Sequence, residues 1–200
     1  MNAQVIEEVM LSPQRRLWTV EEFERAGELG LFGPEERLEL IEGEIISKVA
    51  PQLTPHASSL LLSDNVLRSI LPTGHYLRVQ LPMKLGPKSE PEPDLAVVRG
   101  DIRDAIVTHP TTAELVVEVA DSSLRLDRHA KASLYARASV PEYWIVNIPD
   151  RVLEIHRDPV AMEDQPYGFH YRSITRHAPD ESVSTLIAPG RTIAVSELLP

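Results

Sequence analysis

The sequence has no cysteine. A chain without thiols cannot form disulfides, bind zinc through thiolates or use a cysteine nucleophile, so these classes of site are excluded. It also lacks any apolar run near the roughly 20 residues that a membrane-spanning helix needs. The first residues, MNAQVIEEVMLSPQRRL, do not have the basic and then apolar order of a secretion signal. We therefore expect a cytoplasmic protein that does not enter a membrane.

Several enzyme motifs are absent as well. The chain has no Gly-x-Ser-x-Gly turn, no His-Glu-x-x-His helix, no phosphate-binding glycine loop and no dinucleotide-binding glycine fingerprint. Its histidines lack the paired spacing of a zinc site; they are His56, His75, His109, His129, His156, His170 and His177. These absences argue against serine hydrolases, zinc proteases and nucleotide-binding enzymes.

Positive charge is scarce. The formal net charge of -10 opposes indiscriminate binding to nucleic acid, whose affinity comes largely from neutralised phosphates. Between residues 68 and 103 the charge is locally biased toward basic side chains, namely Arg68, Arg78, Lys84, Lys88, Arg99 and Arg103. This stretch is either a local basic groove or a solvated surface with scattered charge, and the sequence leaves both open.

The length and the apolar content fit one globular domain. At 200 residues and 42% hydrophobic content the chain can bury one sizeable core but is short for two. Residues 1–17 show little periodicity, so we predict a flexible N-terminal arm followed by a single domain over residues 18–200.

The pattern of elements predicts a mixed α/β domain. Thr19 and Glu22 form a capping-box pattern that starts a short helix, and Glu42-Gly43 is the turn of a tight hairpin. A second helix of about 16 residues should start at Pro55, with Gly74 as the residue that stops it. Strands are predicted at 75–85, 94–99 and 114–120, then a helix at 125–139, a hairpin at 142–157, and strands at 167–175 and 181–195. This order predicts a central sheet flanked by helices, with an added β-hairpin region on the C-terminal side.

Two carboxylates interrupt apolar strands. Asp94 stands at the start of the strand in PEPDLAVV, and Glu118 lies among valines in LVVEVADSS. A buried carboxylate is costly unless it is hydrogen-bonded, paired with a cation or bound to a metal. Both residues are therefore candidates for a site.

The helix that follows Glu118 carries a polar stripe on its inward face. Asp127, Lys131 and Tyr135 recur every four residues and share a face with the apolar residues Leu134 and Ala138. The opposite side holds Arg128, His129, Ala132 and Ser133. The stripe is either an internal ion pair with a nearby tyrosine hydrogen bond, or part of a site shared with Glu118.

The second interpretation predicts a metal site. Open α/β sheets commonly bind ligands at the carboxyl ends of their strands, where Glu118 and the helix would meet. Asp94 and Glu118 held close together would repel each other unless a cation neutralised them, and hard oxygen ligands favour Mg²⁺ or Mn²⁺. Lys131 beside such an ion could orient a water or stabilise charge on a phosphate.

These residues resemble a known nuclease group. An Asp after Pro and a Glu in a second apolar strand look like the Pro-Asp, Asp/Glu-x-Lys nuclease superfamily. More narrowly, the chain resembles the Uma-two family of putative restriction endonucleases over about residues 18–198. The segments that carry the resemblance are RLELIEGEI, PHASSLLLSDNVL, PEPDLAVV, LVVEVADSSLRLDRHAKASLY and VPEYWIVN. The resemblance implies a restriction-endonuclease-like fold.

The chain departs from the superfamily pattern at one position. Ala120 stands where the lysine two residues after the Glu is expected, and the resemblance implies that Lys131 replaces it. It also implies that Glu39 is an additional acid near the metal and that His56 faces the site. Asn147 replaces the usual Asp of the family, which should affect a turn more than catalysis. From the residues alone, Glu39 could equally be an outward strand residue and His56 a helix-start residue bonded to the backbone.

The resemblance implies a DNA endonuclease that depends on Mg²⁺ or Mn²⁺ and hydrolyses phosphodiester bonds with a metal-activated water. In this scheme Asp94 and Glu118 hold the metal, Lys131 and Glu39 assist catalysis, and Asp127, Tyr135 and His56 orient the reacting groups. A homodimer is also implied. The alternative is a non-catalytic dimeric binding or scaffold protein that has kept the fold, which the acidic charge and Ala120 favour.

Overall fold

The computed structural model describes residues 15–48, 54–103 and 106–200. Most of the predicted N-terminal arm, residues 1–17, lies outside these ranges. No helix within them is long and apolar enough to cross a membrane.

The elements alternate between helices and strands. Helix α1 is Val20–Glu28, followed by strands β1, Leu38–Ile41, and β2, Glu44–Ser47, helix α2, Thr54–Ile70, and strands β3, His75–Val79, β4, Leu95–Arg99, and β5, Leu115–Ala120. Helix α3 spans residues 124–137 and consists of Leu124–Leu126, a π-helical turn at Asp127–Lys131, and Ala132–Arg137. Strands β6, Glu142–Asn147, β7, Val152–Ala161, β8, Phe169–His177, β9, Ser182–Val183, and β10, Ile193–Ala194, come next, and a 3₁₀ turn, Val195–Glu197, follows.

Six strands form one mixed sheet. Its order is β3-β4-β5-β6-β7-β8, and only β5 and β6 run parallel among these neighbours. A parallel pair needs a crossover connection, which α3 supplies between β5 and β6. The strands β1 and β2 form a separate hairpin, as do β9 and β10. The predicted α/β architecture with a central mixed sheet is thereby confirmed.

The sheet buries both faces. Alternate residues of β5 point to opposite sides, because successive side chains of a strand do so. Val117 and Val119 pack with Leu60 and Leu67 of α2 on one face. The other face packs against α3 and the β1–β2 hairpin, through residues that include Val116, Ala120, Leu134, Tyr135 and Ile41. Glu118 shares this second face and therefore points at α3.

Two local predictions are confirmed. At the start of α1, the Thr19 hydroxyl accepts a hydrogen bond from the Glu22 amide at 3.2 Å, and the Glu22 carboxylate accepts one from the Thr19 amide at 3.2 Å. At the hairpin turn, Glu42 and Gly43 both have positive φ, 50° and 81°, as a tight two-residue turn requires.

One face assignment on α3 was wrong. Asp127, Lys131 and Tyr135 are buried as expected, but Ala132 and Ser133 are buried too. The reason is a neighbour that helical periodicity cannot reveal: strand β8 packs on that side, and the Ser133 hydroxyl donates to the Phe169 carbonyl at 2.7 Å. His129 is exposed, as predicted.

Several predicted boundaries were also wrong. Strand β3 ends at Val79 because the Gln80 backbone turns to a φ of 48° and Pro82 cannot donate to a ladder. Helix α2, by contrast, has close to the predicted length of about 16 residues, since it spans 17, and Gly74 lies in the turn that follows it with a φ of 78°. The region 181–195 contains only the two short strands β9 and β10, with turns around Pro189 and Gly190 between them.

Candidate active site

The seven site residues predicted from the sequence lie on five elements or their ends. Asp94 precedes β4 and Glu118 lies in β5, and because Leu95 pairs with Val117 in an antiparallel register, the two acids face each other across adjacent strands. The others are Asp127, Lys131 and Tyr135 on α3, Glu39 on β1 and His56 in the first turn of α2. Six of the seven are buried, and His56 is half-buried.

Lys131 joins two carboxylates. Its Nζ lies 2.9 Å from Glu118 Oε1 and 3.2 Å from both Oε1 and Oε2 of Glu39. Only 3% of the Lys131 side chain is exposed. Burial by itself would lower the pKa of this ammonium, but Glu118, Glu39 and Asp127 raise the pKa well above its usual value. Lys131 is therefore a charged ammonium group that is buried away from solvent.

Glu118 is held from one side. The Tyr135 hydroxyl donates to Oε1 at 2.7 Å, the same oxygen that Lys131 contacts. Burial raises the pKa of Glu118 to about 7; Lys131 opposes the shift and the charge of Asp94 adds to it. The ionised form of Glu118 is thus less favourable than that of an exposed glutamate, and a carboxyl perturbed in this way by burial is a candidate functional group.

The pKa of Asp94 shifts in the opposite direction to that of Glu118. Its Oδ2 accepts a hydrogen bond from the Val119 amide at 2.8 Å and lies 3.3 Å from His56 Nε2, while Gln80 Nε2 donates to Oδ1 at 3.1 Å. Burial would raise the pKa of Asp94, but these neighbours, His56 first, lower it to about 2. In turn, the hydrogen bond to Asp94 raises the pKa of His56.

Glu39 faces inward rather than outward. It is 1% exposed and forms ion pairs with both Lys131 and Lys48, and its Oε1 accepts the Glu92 amide at 3.2 Å. Burial would raise the pKa of Glu39, but the two lysines together lower it. Glu39 therefore pairs with two lysines, the buried Lys131 on α3 and the partly exposed Lys48 at the edge of the site.

Comparison with known proteins places the chain in a family. The pattern of the Uma2 family, described as "Putative restriction endonuclease", matches residues 20–196. The chain belongs to the Uma2 family. Its structure is also similar to that of a putative nuclease of DUF820 from Anabaena variabilis, with a TM-score of 0.66 and 19% identity, covering 90% of this chain and 97% of the other. At that identity the likeness concerns the fold alone, and no curated protein matches the chain.

Sequence reasoning missed two residues of the candidate site, Lys48 and Gln80. Lys48 lies on β2's open end, and since Glu39 pairs with Ile46, strand periodicity could have placed Lys48 on the same face of the hairpin. Gln80 gives no such signal, because its contact with Asp94 depends on a φ of 48° in a loop. A left-handed non-glycine backbone of this kind is costly and persists only where the surrounding structure fixes it.

Asp127 lies one helical turn from Lys131 of the candidate site. It lies in the π-helical turn, where the Ser123 hydroxyl donates to its carboxylate and the Tyr143 hydroxyl donates to its carbonyl at 3.2 Å. Burial raises the pKa of Asp127, and Lys131 and Ser123 oppose the shift. Such π-turns occur frequently at functional sites.

The basic stretch does not form a free groove. Arg68, Lys84, Arg99 and Arg103 pair with Asp64, Glu24, Glu114 and Asp101, respectively. Arg78 is buried and donates to the Pro82 carbonyl at 2.9 Å. These contacts favour the interpretation of the basic stretch as a surface with scattered charge over that of a basic groove.

Proposed function

We propose that this Uma2 chain is a divalent-metal-dependent endonuclease that hydrolyses DNA phosphodiester bonds with water. Membership in a family described as putative restriction endonucleases supports the nuclease class. The observation that carries the finer proposal is the facing pair of Asp94 and Glu118 with Lys131 2.9 Å from Glu118.

Asp94 and Glu118 would hold Mg²⁺ or Mn²⁺. In the parts of the chain that the structure describes there is no group of three or more His, Cys, Asp or Glu that could hold a metal. Two carboxylates still fit Mg²⁺, which proteins usually bind through one or two carboxylates plus substrate phosphates and waters. Both hydrogen bonds donated to Glu118 from described residues go to Oε1, so Oε2 remains for an ion. When bound, the cation would supply positive charge at the phosphate and lower the pKa of a water.

The chain's own residues would position the two carboxylates. Gln80 and the Val119 amide fix the plane of the Asp94 carboxylate, and Tyr135 fixes that of Glu118. Lys131 directs its donors to Glu118 and Glu39, so we assign to it the task of keeping Glu118 ionised rather than contact with the phosphate. Glu39 in turn holds Lys131, and Asp127 and His56 orient their neighbours.

One observation favours the non-catalytic alternative. Glu39, Asp94 and Glu118 all have protein partners, so their burial is explained without a metal. A scaffold protein that kept the fold would retain the same ion pairs. Metal binding and cleavage distinguish the two functions.

Calorimetric titration of Mn²⁺ tests the proposal. We expect binding to the wild type that is lost in Asp94→Asn and in Glu118→Gln, since each removes a ligand charge while nearly keeping its shape. Glu163→Gln, on an exposed turn, removes the same charge away from the site and should bind normally. Thermal melting of each variant verifies folding. Equal Mn²⁺ binding by all four proteins, or by none, would refute the metal assignment.

Cleavage of plasmid and single-stranded DNA in Mg²⁺ or Mn²⁺ is the matching activity test. Asp94→Asn and Glu118→Gln should lose cleavage, and Glu163→Gln should keep it. Mn²⁺ binding without cleavage of any DNA would favour the scaffold alternative.

A further inference from the structure

The open end of the β1–β2 hairpin brings two cations to the edge of the site. The Lys48 amide donates to the Arg37 carbonyl at 2.8 Å, so the two residues lie side by side where the hairpin strands separate. Lys48 Nζ reaches inward to Glu39 and donates to the Glu92 carbonyl at 2.8 Å. Lys48 thus borders the same acidic cluster that Lys131 occupies from within.

The two lysines differ in the donors they have left. An ammonium has three N–H donors. Lys131 contacts Glu118 and both oxygens of Glu39, and 3% of its side chain is exposed. Among the residues that the structure describes, Lys48 has two acceptors, Glu39 and the Glu92 carbonyl, and 24% of its side chain is exposed. Lys48 therefore keeps one donor for an acceptor that arrives from solvent.

Arg37 adds a second available cation. It is half-buried and, within the described ranges, forms no ion pair with a carboxylate. Its charge nevertheless acts on the site: the hydrogen bond to Asp94 raises the pKa of His56 and burial raises the pKa of Glu92, and the positive charge of Arg37 opposes both shifts. A guanidinium in this position can bind a phosphate oxygen with two parallel N–H groups.

We propose that Arg37 and Lys48 bind the backbone phosphates of the nucleic-acid strand that enters the site. This inference rests on the proposed nuclease function and names how its substrate is held. A polyanion must approach Asp94, Glu39 and Glu92 in a protein of net charge -10, and cations at the entrance reduce that repulsion. Lys131 lies too deep to do so.

Fluorescence anisotropy with a labelled duplex and a labelled single strand, in EDTA and over a range of salt, tests the proposal. We expect Lys48→Met and Arg37→Met each to weaken binding and to lower the slope of log affinity against log salt by about 0.9 for the duplex, as one lost phosphate contact does. Lys48→Arg keeps the charge and should keep most of the slope.

Arg172→Met is the matched control. Arg172 is exposed on the edge strand β8, so its loss removes the same charge far from the site and should leave the slope unchanged. Wild-type slopes in Lys48→Met and Arg37→Met would overturn the proposal, as would absence of wild-type binding at low salt. Salt-dependent binding that requires both residues, in a protein that cleaves no DNA, would keep this inference and refute the nuclease function. DNA cleavage that is unaffected by both substitutions would keep the nuclease function and refute this inference.

Discussion

At the scale of single residues, the site is a balance of buried charges. Lys131 lies between Glu118 and Glu39, and Lys48 completes the charge on Glu39. Each charge is tolerable because another lies within about 3 Å, since taking an unpaired ion out of water costs several kcal/mol. The partners explain why these residues can be buried, whether or not a metal is present.

Lys131→Met should be strongly destabilising. It leaves Glu118 and Glu39 facing each other without the shared ammonium, and breaking one partner of a buried ion pair costs about 3–5 kcal/mol of unfolding free energy. Urea denaturation at neutral pH measures the loss. Adding Glu118→Gln should recover part of it.

Arg25→Met is the comparison for this substitution. Arg25 pairs with Glu28 on α1, and both side chains are 66% exposed. Exposed pairs contribute about 0–1 kcal/mol. If Lys131→Met lowers the free energy of unfolding no more than Arg25→Met does, the buried charges of Lys131, Glu118 and Glu39 do not stabilise one another.

The ionised Glu90 carboxylate destabilises the folded protein, and this effect depends on pH. Burial first and Glu24 second raise the pKa of its carboxyl from 4.5 to about 7, against the opposing charge of Lys84. A raised folded-state pKa means that the folded protein holds the proton more tightly, so the stabilisation is complete below about pH 4.5 and is lost as the pH rises through 7.

We therefore predict that Glu90→Gln stabilises the protein at pH 8 by roughly 1 kcal/mol, allowing for solvent screening. The gain should shrink toward pH 5, where the wild-type side chain is protonated. Chemical denaturation of both proteins at several pH values checks it, and a gain that is independent of pH would contradict the assignment to this carboxyl.

At the scale of elements, the β1–β2 hairpin and α3 close over the same sheet face. The hairpin contributes Glu39 and Lys48, and α3 contributes Lys131 and Tyr135. The hairpin is fixed by its turn: the Gly43 amide donates to the Lys88 carbonyl at 2.7 Å, and Arg137 of α3 pairs with Glu42. The site therefore depends on the hairpin turn that directly follows the strand of Glu39.

Gly43→Ala tests that dependence. A Cβ at Gly43 would lie 2.6 Å from the Leu17 Cβ and 3.0 Å from the Trp18 carbonyl oxygen, with a φ of 81°. At Gly74 the φ is 78° and nothing lies within 4 Å. Gly74→Ala should thus cost only the left-handed backbone strain, about 1–2 kcal/mol, and Gly43→Ala should cost more. Thermal or urea unfolding compares them, and equal losses would mean that the neighbours move aside freely.

At the scale of the whole molecule, the layers place an acidic cluster between a sheet and its covering elements. Four of the six basic side chains in residues 68–103 pair with acids and Arg78 is buried, which argues against a broad basic surface there. In our proposal, contact with a polyanion therefore falls on a few side chains such as Arg37 and Lys48. Homodimer formation and a cytoplasmic location stay predictions.

The sequence by itself determined the elements and the chemistry of the central residues. The capping box at Thr19, the Glu42-Gly43 turn and the inward stripe of Asp127, Lys131 and Tyr135 follow from local periodicity and turn preference, which depend on neighbours in the chain. Carboxylates within apolar strands likewise marked Asp94 and Glu118, because burying an unpaired charge is too costly to be accidental.

Only the tertiary structure decided which charges meet and which faces are covered. Lys48 reaches Glu39, Gln80 reaches Asp94 through a left-handed turn, and β8 buries Ser133. The contacts of Gln80 and Ser133 join residues 14 and 36 positions apart. Local periodicity carries no information about such distant partners, because they are set by how the sheet and its covering elements pack together.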